Sequence, residues 1–401
     1  MYQKLDEAIS TIISYYREQE IAASSRKSVS KACRDFKDYL VANRLHYSPG
    51  ITGTWLSKQP CSPSITHSRQ RACALIDAVL KTGSVQNGPF RHVNLKAEPT
   101  NPLFAAVLDT FLKEKAKEGR AESTMAFLHT ANVNFLRFLE SRGIEDLKEL
   151  TPQLVSPFFV VGTHAKTPSS KQAYAFRVRQ FIQYLARQKI VSDRLEYAIP
   201  TRMPRIVSIV TTLSDEQVKE VRNYGKQNPT IMECRDRAIG LLALRLGIRA
   251  IDICNLKFCD ISWDDMAISL IQRKTGKLLV LPLPTDVGNA VSTYILEKRP
   301  RSNFPYIFLT NKRPYARLGK SGCASAGGRI LKGRSKDKGL HIFRRTCASR
   351  LLEKRTKTGV ITAILGHSSV ERIDQYLSTD EAGMRKCALD LSSVGFPEVL
   401  R

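Results

Sequence analysis

Apolar residues recur at helical spacing along most of this chain, and the rhythm shortens to simple alternation in one stretch. Ile9, Ile12, Ile13 and Tyr16 fall on one helical face, as do Phe36, Tyr39 and Leu40. Residues 103–195 and 235–246 continue that spacing. After Asn255 it changes: 267–271 and 278–283 read as two strands, joined by Gln272-Arg273-Lys274-Thr275-Gly276-Lys277. Gly276 supplies the backbone freedom for a tight turn, and Lys274 projects from the hairpin tip. The fold class that follows is mainly α with a small antiparallel β-sheet in the last part of the chain.

Breakers divide the helical sequence into three regions. A helical region spans 1–90 and a second spans 100–195. Between them, Gly88-Pro89, Pro99 and Pro102 mark a linker. Pro200 and Pro204 flank an extended basic stretch from Arg202 to Arg205. The third region, 212–401, opens at Ser214-Asp215-Glu216-Gln217, a capping box in which the Ser oxygen takes an orphan helix N–H and Gln217 reaches back. Within it, 340–352, 358–365 and 370–377 read as helices. The first two regions look alike. Phe36-x-x-Tyr39-Leu40 matches Phe135-x-x-Phe138-Leu139, and Ser68-Arg69-Gln70 matches Ser170-Lys171-Gln172, each of the latter opening another helix. A repeated helical module and chance similarity between amphipathic helices both account for this.

Charge narrows the partners. There are 63 Lys and Arg against 37 Asp and Glu, a net +26 over 401 residues. Such a field draws in a polyanion, and its spread along folded-looking sequence points to nucleic acid more than to a membrane anchor. No apolar run approaches the ~20 residues that span a bilayer, and no signal-peptide core follows Met1. Nine scattered cysteines without a Cys-x-x-Cys pair fit reduced, buried, inert thiols in a cytoplasm, with no metal site expected.

Four short motifs carry chemistry. Leu244-Arg245-Leu246-Gly247-Ile248-Arg249 is followed by His341-Ile342-Phe343-Arg344, then by Leu365-Gly366-His367-Ser368, and nine residues after that His by Tyr376. With Arg249 taken from the first and Arg344 from the second, they offer two guanidiniums, two imidazoles and a phenol. When a phosphodiester is attacked, negative charge builds on the non-bridging oxygens, and fixed cations can meet it in place of metal ions. Arg249 and Arg344 suit that task because each planar fork donates two hydrogen bonds. Taken singly, each residue has an ordinary explanation. Arg249 can be a snorkelling or ion-paired side chain with Asp252 as its partner, and both histidines can sit at helix ends. Tyr376 can pack beside Ile373 and Leu377.

In this order and spacing, residues 212–380 resemble the catalytic domain of the tyrosine recombinases, the phage-integrase family. Leu246-Gly247-Ile248-Arg249 with Asp252 resembles its first arginine box, and Lys274-Thr275-Gly276 its hairpin lysine. His341-Ile342-Phe343-Arg344 resembles its His-x-x-Arg box, Leu365-Gly366-His367 its Gly-His box, and Tyr376 its nucleophile. Leu246, Asp252, Phe343 and Arg345 depart from the commoner Thr, Glu, Leu and His, and none of these removes a catalytic group.

The resemblance implies a division of labour. Tyr376 would form a 3′-phosphotyrosine with DNA, which conserves bond energy so that no cofactor is needed. His341 would assist removal of the tyrosine proton, His367 would hydrogen-bond the scissile phosphate, and Lys274 would protonate the departing 5′ oxygen. Helical DNA-binding domains at 1–90 (arm-type or core-binding-like) and 100–195 (core-binding) would close with the catalytic domain as a clamp on double-stranded DNA. Lys166, Lys171, Arg177, Arg179, Arg202 and Arg205 are candidate phosphate contacts, with a solvated helix face as the alternative. A homotetramer on paired sites is implied, with the tail 377–401 docking on a neighbour or folding back. An excision factor or a host DNA-bending protein is a common accessory, and the location implied is cytoplasmic, on the nucleoid when DNA-bound. The role expected is integration or excision of a mobile element. The alternatives are an Xer-type dimer resolvase, usually without the extra N-terminal region, and a non-catalytic DNA-binding relative. A type IB topoisomerase typically lacks a His at the position of His341.

Overall fold

The computed structural model describes residues 2–48, 51–58, 62–85, 98–163, 165, 167–202, 210–333 and 339–366. The chain divides into two compact units, one of Met1–Arg91 with Ile209–Arg401 and one of His92–Ser208. The expected regions 1–90 and 212–401 thus share a unit, although each keeps its own hydrophobic core.

The N-terminal part of the first unit holds α1 (Gln3–Glu18), α2 (Ala23–Ala42), α3 (Ile51–Lys58) and α4 (Pro63–Thr82). The helical-face residues of the sequence become its core: Ile12, Phe36 and Leu40 are buried with Trp55, Leu75 and Ile76. The Phe36 and Trp55 rings lie 5.1 Å apart, and the Arg69 guanidinium sits over the Trp55 ring at 4.9 Å. Each fully buried aromatic of this kind contributes roughly 1.5–3 kcal/mol by removal from water.

The second unit contains α5 (Pro102–Lys117), α6 (Glu122–Glu140), α7 (Pro152–Pro157) and α8 (Pro168–Arg187). Asn101 caps α5 by accepting from the Leu103 amide at 2.9 Å, and Thr167 caps α8 from Ser170 at 3.2 Å. Phe111, Phe135, Phe158 and Phe181 form an aromatic core, with Phe111 and Phe181 edge to face at 5.2 Å. Helices α2 and α6 end alike. A left-handed residue, Arg44 or Gly143, turns the chain so that Leu45 N–H reaches Leu40 O at 2.9 Å and Ile144 N–H reaches Leu139 O at 3.2 Å. The Ser68 and Ser170 segments do not both open helices. Ser170 stands in the first turn of α8, but Ser68 lies well inside α4, which opens at Pro63.

The remainder of the first unit is built round α10 (Ile231–Leu246), which packs against α12 (Thr285–Thr293), α13 (Lys320–Ile330) and α14 (His341–Glu353). It is preceded by α9 (Asp215–Asn223), whose Ser214–Gln217 capping box forms as expected, and Thr230 with Glu233 makes a second box at the start of α10. Ala238, Ile239, Leu241, Leu242 and Ala243 are all buried, which explains why the 238–244 stretch of this helix is apolar on every side. Asp236, fully buried, pairs with Arg329 and joins α10 to α13.

A short helix α11 (Ala250–Ile253) leads to an antiparallel sheet in the order β1 (Ile261–Ser262), β2 (Ala267–Ile271) and β3 (Leu278–Pro282). The expected hairpin is β2–β3, in register Ala267↔Pro282 to Ile271↔Leu278, and β1 adds an edge. Ile268, Leu270, Leu279 and Leu281 face inward. The last described helix is α15 (Thr358–Leu365). Of the seven cysteines in the described residues six are buried, and burial pushes the Cys347 thiol up to about 11 and the Cys33 thiol up to about 12. Cys259 departs from the expected burial: it is exposed in a 3₁₀ turn after α11.

Candidate active site

Two helices end in left-handed glycines, and the site is built between them. Gly247 closes α10 at φ +62°, and Gly366 closes α15 at φ +55°. Both positions favour glycine for the backbone alone. Space tightens the requirement, because a Cβ on Gly247 would press on Leu365 at 2.6 Å, and one on Gly366 would collide with the Gln272 side chain.

The unsatisfied carbonyls at such C-termini carry partial negative charge, and the two candidate arginines answer it. Arg344, only 3% exposed on the second turn of α14, donates through Nη1 to Gly247 O and through Nη2 to Leu365 O, the latter at 2.7 Å. Arg249, half-buried at the start of α11, donates through Nη2 to Gly366 O at 3.1 Å. Two guanidiniums contributed by distant parts of the chain therefore meet on consecutive carbonyls, immediately before His367.

Asp252 does more than balance Arg249. Its carboxylate is 3% exposed, and Oδ1 accepts the Arg273 backbone amide at 2.8 Å. Burial pushes the carboxyl above its ordinary value, partly offset by that amide and by the charges of Arg249, Arg344 and Arg273. Asp252 Oδ2 is buried with no hydrogen bond among the described residues. The acid thus ties α11 to the turn that bears Lys274. Lys274 itself is exposed, and Gly276 takes φ +69° as the tight turn requires.

His341 is the first residue of α14, exposed, one helical turn before Arg344 on the same face. His367 and Tyr376, and the tail 377–401, lie outside the described residues. Of the candidate DNA contacts, Lys171 is half-buried and Arg202 exposed, whereas Lys166 and Arg205 lie outside the described residues. Arg177 and Arg179 have intramolecular work. Arg177 lies 3.8 Å over the Phe127 ring and donates to Ala173 O, and Arg179 donates to Ile199 O at 2.7 Å and Pro200 O at 3.1 Å.

Sequence reading missed the Gly247 and Leu365 carbonyls as arginine partners, the Arg273 amide as the partner of Asp252, and Gln272 altogether. The last had a signal. Ile268 and Leu270 point inward, so two-residue alternation places Gln272 inward too, a polar residue at an apolar position.

Comparison with known proteins decides the family. The model of the phage integrase family matches residues 211–382, a span that includes every motif position from Arg249 to Tyr376. A Sinorhizobium fredii protein of the integrase/recombinase kind, y4gC, is 31% identical over 185 residues, 45% of this chain and 94% of that protein. The chain belongs to the phage integrase family. This recombinase is also similar to a longer Sinorhizobium fredii relative of the same kind, y4rA, at 28% identity over 286 residues, 68% of each protein. Its fold is that of XerH site-specific recombinase, solved bound to a palindromic difH substrate, with TM-score 0.57 and 16% identity. That match covers 73% of the recombinase and 97% of the XerH chain. Family membership makes it a tyrosine recombinase, an enzyme of DNA strand breakage and rejoining.

Proposed function

We propose that the recombinase cleaves each DNA strand through Tyr376, at sites that integrate or excise a mobile element. The phenol oxygen attacks phosphorus and the bond to the 5′ oxygen breaks. The phenol proton leaves with the help of His341, and the Lys274 ammonium protonates the 5′ oxygen. Arg249 and Arg344 hold the non-bridging oxygens, with His367 as a further donor. Attack by another strand's 5′ hydroxyl on the phosphotyrosine reverses these steps and reseals the duplex. One observation carries the reading: both guanidiniums converge on the Leu365–Gly366 carbonyls beside the Gly-His motif.

In this reading the helical regions 1–90 and 100–195 close with the catalytic domain as a clamp on the duplex, four copies act on paired sites, and the enzyme works on cytoplasmic DNA. An excision factor or a DNA-bending protein sets direction. The mobile-element role is favoured over an Xer-type resolvase because XerH is matched over nearly its whole length while a quarter of this chain is left over. The test is a denaturing gel of the protein with a nicked, labelled duplex library drawn from DNA flanking its gene, beside Tyr376→Phe. A covalent adduct with the unaltered protein alone is expected, and sequencing it maps the scissile phosphate. An adduct that persists with Tyr376→Phe refutes the nucleophile.

A further inference from the structure

Gln272 is a polar side chain buried to 1% exposure, while Arg273, Lys274, Gly276 and Lys277 beside it are all exposed. Burying an amide is unfavourable unless its polar atoms are bonded. Among the described residues, every hydrogen bond of Gln272 goes to the lysine turn. Its amide donates to Lys277 O at 2.9 Å, its carbonyl accepts from Gly276 N at 2.8 Å, and its side-chain Oε1 accepts from Thr275 Oγ1 at 2.7 Å. The same terminal amide lies against Gly366, so that a side chain at Gly366 would have to displace it.

We propose that Gln272 is a positioning residue for Lys274, bracing the lysine turn against Gly366 so that the general acid meets the leaving oxygen. This rests on the role given to Lys274 above. Lys274 is an exposed side chain with four rotatable bonds, so the fold controls it mainly through its backbone. That backbone is fixed on both flanks. Asp252 holds the Arg273 amide before it, and Gln272 holds the Thr275 hydroxyl after it. Gly366 gives the brace its fixed surface, since its carbonyl is held by Arg249 and the preceding one by Arg344. The acid and the cations that meet the phosphate are thereby located against one another.

The test separates loss of acid placement from loss of structure. A thiol of pKa ~8.5 leaves as the thiolate without needing a proton, unlike an alcohol. Cleavage is therefore compared on two nicked duplexes with the mapped site, one ordinary and one with sulfur in place of the 5′ bridging oxygen. Gln272→Leu keeps the volume but not the bond to Thr275. It is expected to slow the ordinary substrate by about 10–100-fold, the scale of a small misplacement, and the sulfur substrate by less than about three-fold. Lys274→Ala should show the same sulfur-sensitive pattern. Thr275→Val cuts the bond from the exposed side, spares the core should Gln272→Leu fold poorly, and should give a smaller loss of the same kind. An equal loss on both substrates with Gln272→Leu, or none, overturns the proposal while leaving Lys274 as the acid. Lack of sulfur rescue for Lys274→Ala overturns the role of Lys274 and the proposal with it.

Discussion

The Asp252 carboxylate accepts the backbone amide of Arg273 at 2.8 Å, which fastens the short helix after Arg249 to the turn before Lys274. Its other oxygen makes no hydrogen bond among the described residues, and burial raises the carboxyl above its ordinary value. A carboxyl whose folded value is raised binds protons more tightly in the native state. Stability therefore falls as pH rises from the unfolded value, ~3.9, through the folded one, and stays lowered above it. Asp252→Asn keeps an acceptor for Arg273 and loses the charge. Thermal melts should find it at least as stable as the unaltered protein at neutral pH, with the gap closing on acidification towards pH 4. A variant less stable at pH 7, recovering in acid, would show that the arginine charges outweigh burial.

Arg344 serves two carbonyls on different helices with one planar fork. Lysine cannot reproduce that geometry. Arg344→Lys should lower adduct formation by about 10²–10³-fold, the scale of losing a transition-state donor. It should also reduce unfolding free energy by roughly 1–3 kcal/mol, because a buried carbonyl loses its donor. Urea titration beside the adduct assay reads both effects.

Gly276 and Gly247 both have positive φ, but only Gly247 is crowded. Alanine at Gly276 should cost about 1 kcal/mol, the left-handed penalty alone. At Gly247 the same change must also displace Leu365, so its cost should be larger by about 1–3 kcal/mol, as for overpacking. Denaturant midpoints for the two variants rank them directly.

Arg202 is exposed, whereas Arg179 is engaged with Ile199 O and Pro200 O. If Arg202 touches phosphate, Arg202→Ala should reduce the salt slope of DNA binding by about one unit. Arg179→Ala should instead lower the melting temperature. The reverse pattern would reassign both residues.

Much of the fold was legible because it rests on local rules. The β2–β3 strands, the Ser214–Gln217 cap and the starts and ends of α14 and α15 follow from periodicity and capping chemistry within a few residues. What escaped depends on contacts between distant segments. Asp252 was paired in sequence reading with Arg249, its neighbour on a helix, but its recorded bond spans to residue 273. Arg179 read as a surface cation because nothing local shows that the chain returns with the carbonyls of Ile199 and Pro200. Cys259 looked buried among apolar neighbours, yet a 3₁₀ turn before the sheet brings it to the surface. Ser68 resembled a helix opener, and the actual start at Pro63 depended on proline's fixed φ, a signal five residues earlier.

Main-chain carbonyls hold Arg249 and Arg344, and no side-chain substitution can delete a carbonyl. These carbonyls are neutral, so they steady the guanidiniums without offsetting their charge, which acts on Asp252 from beside them. Leu246 and Phe343 can therefore differ from their commoner counterparts while the arginines stay in place. The arginine geometry is buffered against mutation: it survives drift in sequence as long as α10 and α15 still end where they do, on two glycines.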